Sequence, residues 1–268
     1  MGMRFIGSEN AHIETNVKRE IKNVLRTFTN SDNKAFNPKD CVGLAVSNVI
    51  CTMIMSKRFE SGDPVFEGFL RNFEEGFRLY GETNCADFIP FMNLLPGISK
   101  ATNQLKKNRR TMLSFVKSVV QEHRDYFTDM RQKAAMKKGV PVSSVKVADV
   151  PTRDLIDAYL QEIDAEHFEK ENLFPGKEVE EQLQQVILDL FSAGVETLKT
   201  SLYWSLLFMI HNKDVVAKIQ EELETVVGHH RLPDASDIKE LTYTRAALCE
   251  VMRRASVVPM GTTHAPER

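Results

Sequence analysis

Tryptophan occurs once in this sequence, and the four cysteines, Cys41, Cys51, Cys85 and Cys249, stand far apart with no CxxC spacing and no nearby histidine. A disulfide framework and a cysteine–histidine zinc site are therefore excluded, and a reducing, cytosol-facing environment is the default. An excess of one charge is also missing: 35 basic residues stand against 37 acidic ones. Nucleic-acid binders usually carry a clear basic surplus, so no nucleic acid is expected as a partner. No apolar run is long enough to span a bilayer, and the polar start "MGMRFIGSEN" is no signal peptide. It reads as the interior of a longer chain. Internal repeats, low-complexity tracts and alternating strand-like patterns are absent too. What remains is a 268-residue chain, 42% hydrophobic, with enough apolar mass for a sizeable core in a single domain, 1–268.

Apolar positions recur near every 3.6 residues over 10–28, 38–56, 64–80 and 99–138, which predicts helices there and a mainly α fold. Pro90, Pro96 and Gly97 interrupt this pattern in "CADFIPFMNLLPGI" (85–98) while leaving it apolar, so it reads as a buried or partner-facing loop. Phe88, Ile89, Phe91, Met92, Leu94 and Leu95 in it suit a substrate entrance or an ordinary core loop about equally. A second break over 137–153 precedes an amphipathic helix, "RDLIDAYLQEIDAEHFEKE". Pro175 and Gly176 then open a longer helix running to His211, roughly 50 Å in length, followed by helices over 213–227 and 242–255. The basic runs at 105–110 and 130–139 can meet an anionic membrane or an acidic protein, but runs this short are more often solvated helix faces.

Within the long helix, "FSAGVETLKTSLYW" (191–204) places a glycine and several hydroxyls where leucine would serve. Glycine inside a helix costs about 1 kcal/mol against alanine. Ala193 and Thr197 lie one turn apart on one face, with Gly194 beside them, leaving a groove that a flat ligand can approach. The Thr197 hydroxyl can bond such a ligand or the carbonyl one turn back. The same residues also suit a close helix crossing with Glu196 facing water. Further on, Glu250 and Arg253 sit three residues apart on one helix and can form a bidentate ion pair, either buried in an apolar turn beside Leu248 and Val251 or exposed on the surface. An irregular exit, "PMGTTH", follows.

An "AGVET" helix, then a Glu-x-x-Arg helix some fifty residues later, then Pro-x-Gly-x-x-His, resembles the cytochrome P-450 superfamily of haem-thiolate monooxygenases. "LAVSNVICTMIMSKRFE" (44–60), "DFIPFMNLLP" (87–96) and "VVGHHRLPDASDIKELTYTRAALCEVMRR" (226–254) resemble the drug- and steroid-hydroxylating microsomal branch. The resemblance implies the central helical portion of that fold, from after the Trp-x-x-x-Arg helix through the Glu-x-x-Arg helix. The N-terminal β-rich part and the C-terminal thiolate loop are then missing, and the chain reads as a fragment cut at both ends.

What the resemblance implies of the site follows residue by residue. Haem lies against Ala193, Gly194 and Thr197; Thr197 steadies iron-bound oxygen, and Glu196 helps relay protons. Glu250 and Arg253 brace the core beneath the haem, and His264 lies near a propionate. No metal ligand is expected within the chain, because none of its cysteines has the neighbours of the family's Phe-x-x-Gly-x-Arg-x-Cys-x-Gly loop. The activity implied is hydroxylation of a steroid, in particular 26-hydroxylation of an ecdysteroid side chain, with electrons passed from NADPH by a cytochrome reductase. The implied location is the cytosolic face of the endoplasmic reticulum membrane. A helical scaffold without haem chemistry is the competing reading.

Overall fold

The protein is described from a computed structural model covering residues 11–32, 34–164, 179–259 and 261. Among these, every regular element is helical, as the 3.6-residue periodicity predicts. The helices are α1 (Ala11–Thr29), α2 (Lys39–Met55), α3 (Pro64–Thr83), α4 (Pro96–Lys138), α5 (Leu155–Asp164), α6 (Val179–His211), α7 (Lys213–Val226) and α8 (Thr242–Ala255). Pro175, Gly176 and the stretch over 165–171 that sequence assigns to a helix lie outside the described residues. The chain divides into two compact units. One is built on Cys51–Ser192, the other on Asn10–Ile50 with Ala193–Arg268.

The first unit is organised by phenylalanine. Asp63 starts α3 by accepting the N–H groups of Val65 and Phe66 at 3.0 and 2.9 Å, and Pro64 occupies the first turn, where its missing N–H is no loss. Phe66, Phe69 and Phe73 recur on one face of α3 and are buried. Phe69 meets Phe115 of α4 at 4.5 Å and Phe191 of α6 at 4.9 Å between ring centroids, and Phe73 meets Phe191 at 5.0 Å. Edge-on and tilted contacts of this kind add about 0.5–1.5 kcal/mol each beyond area burial. A polar group lies within the packing: buried Asn108 donates to Glu75 at 2.7 Å and accepts from Gln104 at 2.9 Å. Helix α4 is 43 residues long, about 65 Å, and ends at Gly139, whose φ of 62° is the left-handed conformation that glycine adopts without strain.

The segment 85–98 is not a core loop. It forms a single helical turn at Cys85–Phe88 and a 3-10 turn at Pro90–Leu94, and its apolar side chains face outward. Phe88 and Phe91 are 72% exposed and Leu94 84%. Pro96 opens α4 directly, so too few residues remain to fold this apolar set inward.

In the second unit, α8 is started by a side chain from another helix. Glu222 of α7 accepts the N–H groups of Tyr243 and Thr244 at 2.7 Å each. Desolvation opposes its charge, but these donors hold the Glu222 carboxyl below the usual carboxylate range. The connection from α7 to α8 is pinned by Arg231, which forks onto both oxygens of Asp237 at 2.6 and 2.7 Å.

Candidate functional site

The stretch 191–204 forms the middle of α6 without a break. Thr197 donates its hydroxyl to the carbonyl of Ala193 at 2.6 Å, Ser201 to that of Thr197 at 2.8 Å, and Ser205 to that of Ser201 at 2.8 Å. A ladder of back-bonded hydroxyls thus runs along one side of the helix, so each polar group is satisfied without a tertiary partner. Ala193 and Thr197 are both exposed, a small residue and a hydroxyl one turn apart on an open face. Trp204, seven residues on from Thr197 and on the same side of the helix, is 38% exposed, so apolar surface continues the open face.

Gly194 belongs to a different contact. A Cβ there would lie 3.1 Å from Cδ1 of Ile50 on α2, so this glycine serves a close helix approach. The sequence groups Ala193, Gly194 and Thr197 around one groove; in the structure the first and third are open and Gly194 is packed. A helix rotates about 100° per residue, which turns position 194 away from the line joining 193 and 197.

Glu196 neither faces open water nor is buried. It pairs with Lys199 at 2.6 Å, with side-chain exposures of 28% and 12%. Lys199 and Tyr203 run beside Gly43 of α2, and the Tyr203 hydroxyl donates to the Lys39 carbonyl at 2.8 Å. The carboxyl of Glu196, next to Thr197 in sequence, therefore carries a fixed countercharge.

Glu250 and Arg253 form the fork their spacing predicts, with 2.7 Å from Nε to Oε2 and from Nη2 to Oε1. Of the two settings the sequence allows for the pair, the structure shows the exposed one. Their side chains are 52% and 70% exposed, because only Val251 of α8 turns inward while Leu248 and Met252 are open. The hydrogen bond from Arg253 holds the Glu250 carboxyl below its ordinary range, and the Arg253 value rises correspondingly. His264 lies outside the described residues.

The cysteines are free and dispersed: Cys51 is wholly buried, Cys41 and Cys85 partly, Cys249 exposed. Burial pushes the Cys51 thiol far up, against a small opposing effect of Lys57, so it stays protonated and inert.

The sequence reading missed a cleft of about 330 Å³ between α3, α4 and the first half of α6. Phe73, Leu105, Met112 and Leu188 give it an apolar lining. At its polar side Arg109 donates to Gln185 at 2.9 Å, and Gln185 donates to Asp189 at 2.7 Å. The available signal was Gln185 and Asp189, two polar residues four apart in a helix otherwise rich in leucine and valine.

A family model described as Cytochrome P450 matches residues 1–268. The chain is 39% identical over 270 residues to "Cytochrome P450 18a1" of Drosophila melanogaster, covering 100% of the chain and 46% of that relative. It is 30% identical to "Cytochrome P450 2C11" of Rattus norvegicus over 98% of the chain and 48% of the relative. It is also 30% identical to "Cytochrome P450 2D6" of Homo sapiens over 99% and 49%. The chain thus spans about half the length of these curated relatives.

Proposed function

We propose that this chain, which belongs to the cytochrome P450 family, supplies the distal half of a haem monooxygenase that hydroxylates a lipophilic steroid. The observation that carries the reading is the open face of α6, where Ala193 and Thr197 stand exposed one turn apart with exposed Trp204 further along the same side. A flat, largely apolar cofactor fits such a face: alanine offers no bulk, the tryptophan offers apolar area, and the threonine hydroxyl offers a polar contact.

Haem, when bound, supplies the iron at which dioxygen is reduced. Ala193 and Thr197 are the residues that would lie against it, with Gly194 keeping α6 close to α2 behind them. In this reading the Thr197 hydroxyl exchanges its bond to the Ala193 carbonyl for one to a reacting oxygen or a water, and so orders the last step of proton delivery. Glu196, beside Thr197 in sequence and held by Lys199, is assigned to pass the proton through water. Glu250 and Arg253 act on structure, not chemistry: their preformed fork presents a rigid patch for the remaining half of the protein to close over. His264 is assigned to a haem propionate, and the axial thiolate to a part of the family's length beyond these residues.

The cleft beside α6 suits the substrate class. Its apolar lining matches a sterol nucleus, and the Arg109–Gln185–Asp189 chain offers partners to hydroxyl groups. From the sequence resemblance we assign an ecdysteroid side chain, attacked at carbon 26. Electrons come from NADPH through a cytochrome reductase at the cytosolic face of the endoplasmic reticulum. No described helix is long and apolar enough to cross a membrane, so attachment is assigned to a segment outside them.

The test uses the full-length protein that contains this chain, reconstituted with haem, NADPH and reductase. Ecdysone and its 20-hydroxy form are incubated and analysed by mass spectrometry. A product one oxygen heavier on the side chain supports the assignment. Unaltered steroid beside a functioning reductase overturns the substrate, and failure to take up haem or to give the thiolate-type band with carbon monoxide when reduced overturns the haem-thiolate reading.

A further inference from the structure

Among the described residues, His123, Asp154 and Asp157 are the one group of histidine, cysteine and carboxylate side chains close enough to share a metal ion, and all three are buried. Their hydrogen bonds point to another use. Arg153 forks onto Asp157, with Nε 2.7 Å from Oδ2 and Nη2 2.9 Å from Oδ1, and its backbone N–H adds a third bond at 3.0 Å. Asp154 caps α5 by accepting the N–H of Asp157 at 2.9 Å through Oδ1. Its Oδ2 lies 2.7 Å from Nε2 of His123, and Nδ1 of the same ring lies 2.7 Å from the Val119 carbonyl. Two cations thus face two carboxylates, and no ligand atom is left over for a metal.

The His123 ring has only acceptors around it. A peptide carbonyl cannot donate, so Nδ1 must; an ionised carboxylate cannot donate, so Nε2 must. A ring that donates from both nitrogens is an imidazolium. A neutral ring could keep both contacts only if Asp154 carried a proton in its place, and the other oxygen of Asp154 already accepts the Asp157 N–H. No other described charge intrudes: Glu122 and Arg124, the neighbours on α4, are taken up at the surface by Lys57 and Glu180. On the α5 side, Arg153 also lies over the Tyr126 ring at 3.4 Å, which fixes the guanidinium from its other face.

We propose that His123 is a pH-operated clamp, which as an imidazolium fastens the N-terminal turn of α5 to the middle of α4 and releases it on losing a proton. Once neutral, the ring keeps one N–H, and a lone pair is forced against either the Val119 carbonyl or the Asp154 carboxylate at 2.7 Å. Inside a buried site that repulsion is not relieved by water. Burial alone would lower the affinity of His123 for its proton, but the hydrogen bond and charge of Asp154, the Val119 carbonyl and the charge of Asp157 outweigh it and raise the value above that of ordinary histidine. The stabilisation is therefore complete below the ordinary histidine value and disappears as pH rises through the elevated one. Helix α5 is docked at acid and neutral pH and loosened on the alkaline side.

The test is amide hydrogen exchange in the full chain between about pH 6 and about pH 9, a window bracketing ordinary histidine titration, corrected for intrinsic base catalysis. Protection of residues 155–160 should fall several-fold more than that of α3, while the His123 ring proton titrates above ordinary histidine by NMR. Asp154→Asn tests the cause: Oδ1 can still cap α5, and the amide can donate to an unprotonated Nε2, so a neutral ring suffices and the dependence on pH should vanish. Protection of α5 that is flat in the native chain overturns the clamp. So does a fall of equal size in Asp154→Asn, or a His123 that titrates at or below the ordinary value, and the NMR reading stands even where the variant does not fold.

Discussion

The Thr197 hydroxyl donates to the Ala193 carbonyl at 2.6 Å, spending within its own helix the hydrogen bond that the proposed function asks it to give away. An exposed hydroxyl bonded one turn back contributes little to the fold, and alanine is the better helix former by a few tenths of a kcal/mol. Thr197→Ala is therefore expected to leave chain stability within about 0.5 kcal/mol of the native value, by denaturant unfolding. In the full-length enzyme the same substitution should leave haem binding intact and divert consumed NADPH to peroxide. Tight coupling of NADPH to product in the variant removes Thr197 from proton delivery.

Gly194 gives a test of packing that is independent of chemistry. Alanine would gain about 1 kcal/mol of helix propensity, opposed by a Cβ set 3.1 Å from Ile50 Cδ1. The contact is with the free end of a side chain, so Gly194→Ala alone should change stability by less than about 1 kcal/mol. Ile50→Val deletes Cδ1, and the next atom, Cγ1, lies at an ordinary 3.5 Å. The double variant should thus be more stable than the sum of the singles, by at least about 0.5 kcal/mol in a thermodynamic cycle. Additivity within error means the approach of α2 and α6 at this point is not close in solution.

The Glu250–Arg253 fork is well formed yet exposed, and its sensitivity to pH and salt follows from that. Glu250 titrates below an ordinary glutamate, so what the pair contributes is present above the unfolded-state value and is lost as pH falls through the lower folded one. In this chain Arg253→Ala should leave the unfolding temperature almost unchanged at neutral pH, and any difference should vanish in acid or at high salt. In the full-length enzyme, where further chain can cover α8, the same substitution should sharply reduce haem-loaded protein. A large loss of stability in the chain by itself points to an environment less exposed than the one described.

Helix identity was legible in sequence because each amphipathic stretch carries its own period, as in the Phe66, Phe69, Phe73 face of α3. The Glu250–Arg253 fork was legible too, since partners three residues apart on one helix need no tertiary information. Burial was not. Whether α8 is covered depends on what lies over it, and that is not written in fourteen residues of α8. The same limit left the loop at 88–95 open between a core and a partner-facing reading, and its exposed Phe88, Phe91 and Leu94 decide against the core. The cleft by Gln185 and the His123 cluster escaped for a second reason: their members come from distant positions, and only the packing of α3, α4 and α6 for the one, and of α4 and α5 for the other, assembles them.

The uncovered apolar side chains of the second unit make a final test. Leu202 and Leu207 on α6 are 39% and 43% exposed, and Ile210 near its end is 68% exposed, while Met252 on α8 is 63% exposed. Scattered apolar residues are ordinary on a surface, but several on one helix mark an interface or a liability to aggregate. In the full-length enzyme these positions are expected to be covered by further chain; this chain spans about half the length of the curated relatives it matches. Ile210→Glu in this chain should cost under about 0.5 kcal/mol in stability, since the side chain already faces solvent, and should reduce self-association and dye binding to apolar surface. In the full-length enzyme the same glutamate would have to be buried without a partner, a penalty of several kcal/mol, and should lower the yield of folded protein. Analytical ultracentrifugation of the chain and expression of the full-length variant read the two arms. A variant that self-associates as the native chain does, or that leaves the full-length protein undisturbed, would show that this side of α6 faces solvent in both.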